Sequence, residues 1–169
     1  MNATLDAWNK ADEAVAFDAM IACCGATRWA LAIVALRPIA GILELSEAAD
    51  RVWATMNESD WMEAFACHPR IGERKAAHAV AKSAAWSRQE QASAATAEGN
   101  VLAELSEGNA RYEERFGFTY IVCATGRTAE EMLEILNRRL ANSREAELRE
   151  AVEQQRQITQ IRLGKWLVE

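Results

Sequence analysis

The sequence has little to interrupt a helix: two prolines and eight glycines in 169 residues, against 34 alanines. That mixture favours helices over strands by intrinsic propensity. Long apolar runs are also missing. The longest, Trp29 to Leu36, is eight residues closed off by Arg28 and Arg37, where about 18 to 20 are needed to cross a bilayer. No membrane span is expected. The opening MNATLDAWNK has neither a basic n-region nor an apolar h-region, so no secretory signal is expected either. The closing Trp166-Leu-Val-Glu169 is not a peroxisomal Ser-Lys-Leu address. These absences point to the cytoplasm.

Basic blocks are absent as well. Nineteen Lys and Arg face 25 Asp and Glu, a net charge of -6, and a sequence-independent grip on nucleic-acid phosphates needs clustered cations. Nucleic acid is therefore not an expected partner. The four cysteines, Cys23, Cys24, Cys67 and Cys123, show no CxxC spacing, and the first two are adjacent. They read as reduced thiols. A zinc site would have to draw Cys67, His68, His78 and Cys123 together from distant segments without a recognised ligand spacing, so no metal is expected. A glycine-rich phosphate loop, a GxSxG elbow and an HExxH pair are all missing, which leaves nucleotide and metal mechanisms without support.

What is present is half apolar and 26% charged, the composition of a chain that packs a core; about 70% of the unfolded surface is buried at this size. No repeat, low-complexity tract or polar linker divides it. The expectation is an all-α fold, a single compact multi-helix domain of about eight helices spanning 1–169. Ala11 to Cys23 has helical spacing and ends before Gly25. Thr27 to Leu36 stops ahead of Pro38, and Ile42 to Met56 is amphipathic. From Ser59 to Cys67, Trp61, Phe65 and then His68 recur at steps of four and three, and Pro69 ends the helix beside the histidine. Ser87-Arg-Gln-Glu90 reads as a capping box that opens a helix. Another helix runs from Val101 to Arg115 and stops at Gly117. FTYIVCATG, rich in β-branched and aromatic residues, reads as extended, a short buried strand or irregular chain. Thr128-Ala-Glu-Glu131 is a second capping box, for a helix through Leu140, and Asn142-Ser143 begin the last helix, to Trp166.

With two histidines in the chain, proton carriers near neutral pH are scarce. His68 stands at a helix stop in HPRIGE, between aromatics and a rigid proline; its plain alternative is a structural histidine bonded to a helix carbonyl. His78, between Lys75 and Lys82, reads as exposed. Glu90 is explained by the cap unless a ligand displaces it, in which case the carboxylate could do acid/base work beside Ser87 and Gln91. Arg162 falls inside the apolar stripe of the last helix and needs a partner there, a protein carboxylate or an anionic ligand. Arg156 projects from the polar side and reads as solvated.

The motifs HPRIGE (68–73), W-S-x-x-E-Q (86–91) and Tyr112-x-x-x-Phe116-Gly-Phe118 leading into Tyr120-Ile-Val-Cys-Ala124 resemble the 2-oxo-4-hydroxy-4-carboxy-5-ureidoimidazoline (OHCU) decarboxylases. The Trp29–Pro38 region, Arg139-Leu-x-Asn142 with Glu147 beyond it, and Ile161-Arg-Leu163 extend the similarity in order over nearly the whole chain. Ala92-Ser93 departs from the Ala-Gly frequent in the family. The resemblance implies an all-helical decarboxylase, commonly a homodimer, that needs no cofactor and converts OHCU to S-allantoin in urate breakdown. It implies His68 as the catalytic histidine with Glu90 beside it. It also implies Pro69, Ser87, Gln91, Arg162 and the backbone at Ile121, Val122, Cys123 and Ala124 as substrate contacts. Two readings compete: a non-enzymatic helical module binding a protein through tryptophan-rich faces, and a cysteine hydrolase using Cys67 or Cys123.

Overall fold

The computed structural model describes residues 2–72, 81–92 and 99–169; Glu73 and His78 fall outside them. Nine helices and no strand occur among the described residues. No helix there is long and apolar enough to cross a membrane. The chain forms two compact units, one of the residues through Ala64 with Arg156–Glu169, the other Phe65–Gln155.

The first unit opens on a helix that the sequence reading missed, α1 (Ala3–Lys10), because a polar, targeting-like stretch was weighed only as a signal. Its cap is Asn2, whose Oδ1 accepts the Leu5 N–H at 2.9 Å, and Leu5 and Trp8 are its buried anchors. Helix α2 (Glu13–Cys24) ends at Gly25, whose φ of 90° closes the turn in the left-handed region open to glycine. Helices α3 (Thr27–Val34) and α4 (Ile42–Trp53) follow. Trp29, fully buried on α3, donates its indole N–H to the Ala49 carbonyl at 3.1 Å, so its apolar bulk is used without stranding a donor. Arg37 caps α1 from outside, donating to the Trp8 and Ala11 carbonyls at 2.9 and 2.7 Å.

Helix α5 (Glu58–Ala66) leads into the second unit, which then contains α6 (Ala81–Glu90), α7 (Gly99–Phe116) and α8 (Ala129–Arg139). Helix α9 (Arg144–Trp166) starts in the second unit and ends in the first. In the first, Asp50 accepts from Arg156 at 2.9 Å and from Gln160 at 2.7 Å, so Arg156 is paired rather than simply solvated. The core of the second unit is aromatic: Tyr112 packs edge-on against Phe116 and Tyr120, at centroid distances of 4.7 and 5.2 Å, and Phe65 meets Phe118 at 5.4 Å. Gly108 lets α7 approach α8, since a Cβ there would lie 2.5 Å from a Leu136 methyl. The Thr128 box is formed as expected, with both reciprocal bonds present.

The segment after Gly117 is irregular and buried rather than a strand. Its backbone groups are satisfied by side chains instead of a neighbouring strand, as buried polar groups require.

Candidate active site

Helix α5 ends at Ala66, and the His68 N–H closes the last turn on the Phe65 carbonyl at 3.1 Å. Pro69, buried, stops any continuation. The turn that follows is pinned from three sides. Arg70 makes a bidentate pair with Glu113 of α7 (2.9 and 2.6 Å), Asn109 of α7 donates to the Ile71 carbonyl at 3.1 Å, and the Gly72 N–H donates to Gln91 Oε1 at 3.1 Å. Gly72 has a φ of 88°, a conformation that explains a glycine at this position of HPRIG. The His68 ring is half-buried and its Nε2 lies 2.8 Å from Gln155 Oε1 of α9. The Nε2 partner is thus a side-chain amide.

Ser87 and Glu90 overturn the capping box read at that position. Ser87 is buried within α6, its carbonyl accepts the Gln91 N–H at 3.1 Å, and Glu90 is the last helical residue. Ala81, Ala84 and Ala85 favour the helix before Ser87, so the N–H groups a cap needs are already inside helical turns. A helix C-terminus stands where the capping box was expected to open a helix. A carboxylate at that end meets the negative pole of the helix dipole.

The stretch Ile121–Ala124 is held from three directions. Arg139 donates to the Ile121 carbonyl at 2.7 Å, Gln154 accepts the Cys123 N–H at 2.8 Å, and Arg127 donates to the Cys123 carbonyl at 3.1 Å; the Ala124 carbonyl takes the Arg127 N–H at 3.0 Å. Arg139 is itself fixed by Glu147, whose carboxylate accepts from Arg139 Nε at 2.7 Å, from Asn142 at 2.8 Å and, through a very short bond, from the Tyr112 hydroxyl. Burial above all pushes the Tyr112 phenol far above its ordinary value, and the bond to Glu147 adds to this. Burial likewise raises Tyr120. Both phenols therefore stay protonated throughout the neutral range.

One pair of neighbours joins these pieces. Gln154 grips Cys123 and Gln155 grips His68, so consecutive residues of α9 orient the histidine and the backbone segment within one unit. The sequence reading named neither glutamine, although Gln155 repeats the stripe of Leu148, Ala151, Ile158 and Arg162 at helical steps, a polar residue in a buried row. Gln91 reaches the same region through Gly72. Arg162 is buried on α9, 1% exposed, as a charge in the core-facing stripe, and belongs to the first unit. A cleft of about 310 Å³ is lined by Val122 and Gln154 together with Arg127, Glu131, Arg138 and Glu150 among others. Glu131 is committed to the Thr128 cap and Arg127 to Cys123. Five of the six tryptophans are at most 5% exposed, which removes the tryptophan-rich docking faces the module reading needed.

Comparison with known proteins places the chain in a family. Residues 9–164 match the model of the family described as OHCU decarboxylase. The chain is 37% identical over 144 residues to the uric acid degradation bifunctional protein TTL of Arabidopsis thaliana, covering 85% of this chain and 44% of that protein. It is 33% identical over 97 residues to the 2-oxo-4-hydroxy-4-carboxy-5-ureidoimidazoline decarboxylase of Amia calva, covering 57% and 55%. The chain thus spans about half the length of these curated relatives. A solved structure, described as OHCU decarboxylase in the presence of (S)-allantoin, superposes with a TM-score of 0.78 at 33% identity, covering 90% of this chain and 99% of the other. Motifs, helical fold and the family match over residues 9–164 agree: the chain belongs to the OHCU decarboxylase family.

Proposed function

We propose that this chain decarboxylates OHCU to S-allantoin without a cofactor, as one domain spanning 1–169. The observation that carries the reading is the His68 ring, anchored by Gln155 and set on a three-point pinned turn beside the Gln91 end of α6. Relatives named for uric acid degradation and for this decarboxylation support the substrate. The family match across 9–164 supports a single functional domain.

The substrate carries a hydroxyl and a carboxylate on one ring carbon, next to an imine. As the carbon–carboxylate bond breaks, its electron pair moves toward the imine and carbon dioxide leaves. Neutral His68 takes the hydroxyl proton, and that oxygen becomes a carbonyl. A proton then adds to the neighbouring carbon from one face, which sets the S configuration. Because the electron acceptor is part of the ligand, the chemistry asks the protein for positioning and proton transfer. Glu90 supports the ureido side and that final protonation. Pro69, Ser87, Gln91 and the backbone from Ile121 to Ala124 hold the ring. With the Cys123 N–H and carbonyl already engaged, the amides of Val122 and Ala124 are the donors offered in that stretch. For Arg162 and for homodimer assembly, the family resemblance alone carries the assignment; the cytoplasmic setting rests on the sequence expectations.

The test is the appearance of optically active allantoin, followed by circular dichroism, from OHCU freshly generated from urate. His68→Ala and His68→Asn are expected to lose about 10²–10⁴-fold in rate, the usual contribution of a general base. A rate near wild type in either variant refutes the role of His68.

A further inference from the structure

We propose that Glu150 is a positioning residue for the decarboxylation: it fixes the Gln154 amide in one orientation and, through it, the peptide that joins Val122 to Cys123. This role deepens the proposed function and rests on Ile121–Ala124 being the backbone wall for the substrate ring.

No strand is present among the described residues to set the peptide planes of that segment, so side chains set them. The Cys123 N–H donates to Gln154 Oε1 at 2.8 Å, and Gln154 Nε2 donates to Glu150 Oε1 at 3.0 Å. A side-chain amide turned end for end exchanges its acceptor for donors. At Cys123 a turned amide would set N–H against N–H, and at Glu150 it would set oxygen against oxygen. The carboxylate and the backbone N–H thus select the same orientation from opposite ends. Gln154 is buried, so a bond left unmade at either end carries its full desolvation cost. Glu150 lies one turn earlier on α9 and is half-buried. It acts on the segment through Gln154.

The effect reaches beyond one N–H. The Val122–Cys123 peptide is trans, and the N–H and C=O of a trans peptide point in opposite directions. Fixing the Cys123 N–H on Gln154 therefore fixes the Val122 carbonyl as well. The next peptide is held in the same way, because Arg127 donates to the Cys123 carbonyl at 3.1 Å and so sets the Ala124 N–H. Arg127, Glu150 and Gln154 line one cleft with Val122. Both grips on Cys123 belong to that cleft, and Glu150 decides which end of Gln154 meets the backbone. Catalysis is sensitive to misplacement by about 1 Å, so a loosened peptide costs rate before it costs stability.

The amide and the reaction can be measured separately in the intact chain. In ¹⁵N-labelled protein, Glu150→Ala is expected to speed hydrogen exchange at the Cys123 amide about tenfold. It is expected to lower kcat/KM about three- to tenfold, the preference one net hydrogen bond sustains. Tm is expected to move by less than about 2 °C, as for a substitution outside the core. Glu150→Gln keeps an acceptor oxygen and is expected to return exchange and rate to within about twofold of wild type, as a retained hydrogen bond allows. Glu150→Lys offers Gln154 a donor in place of an acceptor and is expected to be slower than Glu150→Ala. Adding Gln154→Glu, whose carboxylate can accept from both the ammonium and the Cys123 N–H, is expected to recover most of the rate. A folded Glu150→Ala with wild-type exchange at Cys123, or with wild-type kcat/KM, overturns the proposal. So does the combination of Glu150→Lys with Gln154→Glu if it is no faster than Glu150→Lys alone. The two readings fail separately: a wild-type protein that forms no allantoin from OHCU refutes the proposed function, while an active wild type whose rate is indifferent to Glu150 refutes only the positioning role.

Discussion

Replacing Arg139 with Met removes the cation from a buried cluster and leaves its carboxylate partner stranded. Arg139 is 4% exposed and Glu147 fully buried. The substitution abolishes the bonds from Arg139 to Glu147 and to the Ile121 carbonyl, each 2.7 Å. Breaking a buried pair by removing one partner costs about 3–5 kcal/mol, because the desolvated charge that remains is uncompensated. For a chain of this length each kcal/mol moves Tm by about 2–4 °C, so a drop of about 6–20 °C is expected by calorimetry or thermal circular dichroism. The triple variant Arg139→Met, Glu147→Leu, Tyr112→Phe removes the polar partners together and is expected to recover at least half of the loss, since apolar replacement of a whole buried network is often neutral or better. A single-variant drop below about 3 °C, set against the range expected from burial, refutes the reasoning. So does a triple variant no more stable than the single. Activity measured well below the new Tm is expected to fall as well, because the Ile121 carbonyl has lost its tether.

Alkaline pH offers an independent reading. Tyr112 and Tyr120 are the only tyrosines, and burial raises both. Above about pH 10 the unfolded chain releases phenolic protons that the folded chain keeps, so stability falls with rising pH by up to about 1.4 kcal/mol per unit for each tyrosine. Tyrosinate absorbance should then appear only together with loss of the helical signal; tyrosinate forming near pH 10 in a still-native protein contradicts the burial argument. Glu90→Gln is expected to lower the decarboxylation rate at least tenfold in a protein that still folds. A marked thermal loss with full activity would restore a structural role to Glu90. Gly108→Ala gains about 1 kcal/mol of helix propensity but forces a Cβ into the buried Leu136 side chain, where overpacking costs about 1–3 kcal/mol. A net fall in Tm is expected, and an increase would mean that α7 and α8 separate readily.

How far the sequence could be read depended on whether a feature was local. The stop at Pro69 and the Thr128 box are decided by residues a few positions apart, and both are present as read; the stretch bounded by Gly117 and Gly126 takes the irregular of the two forms left open for it. Ser87 to Glu90 shows the limit of such patterns. The S-x-x-E spacing is the same at a helix start and inside a helix, and only the alanine-rich turns before Ser87 distinguish the two. The cluster of Tyr112, Arg139 and Glu147 was visible only as scattered family matches, because α7 and α8 bring together residues that no periodicity links. Gln155 left a fainter trace, a polar side chain in a row of buried ones. Its partner lies 87 positions away, beyond the reach of any spacing rule.

One peptide bond separates the side chain that grips the imidazole from the one that grips the Cys123 amide. Successive residues of a helix are turned by about 100° from each other, so these two reach different walls from a single turn of one rod. Inserting or deleting one residue in α9 ahead of Gln154 would swing both grips aside together. The imidazole and the Cys123 amide are thus held by one register of α9.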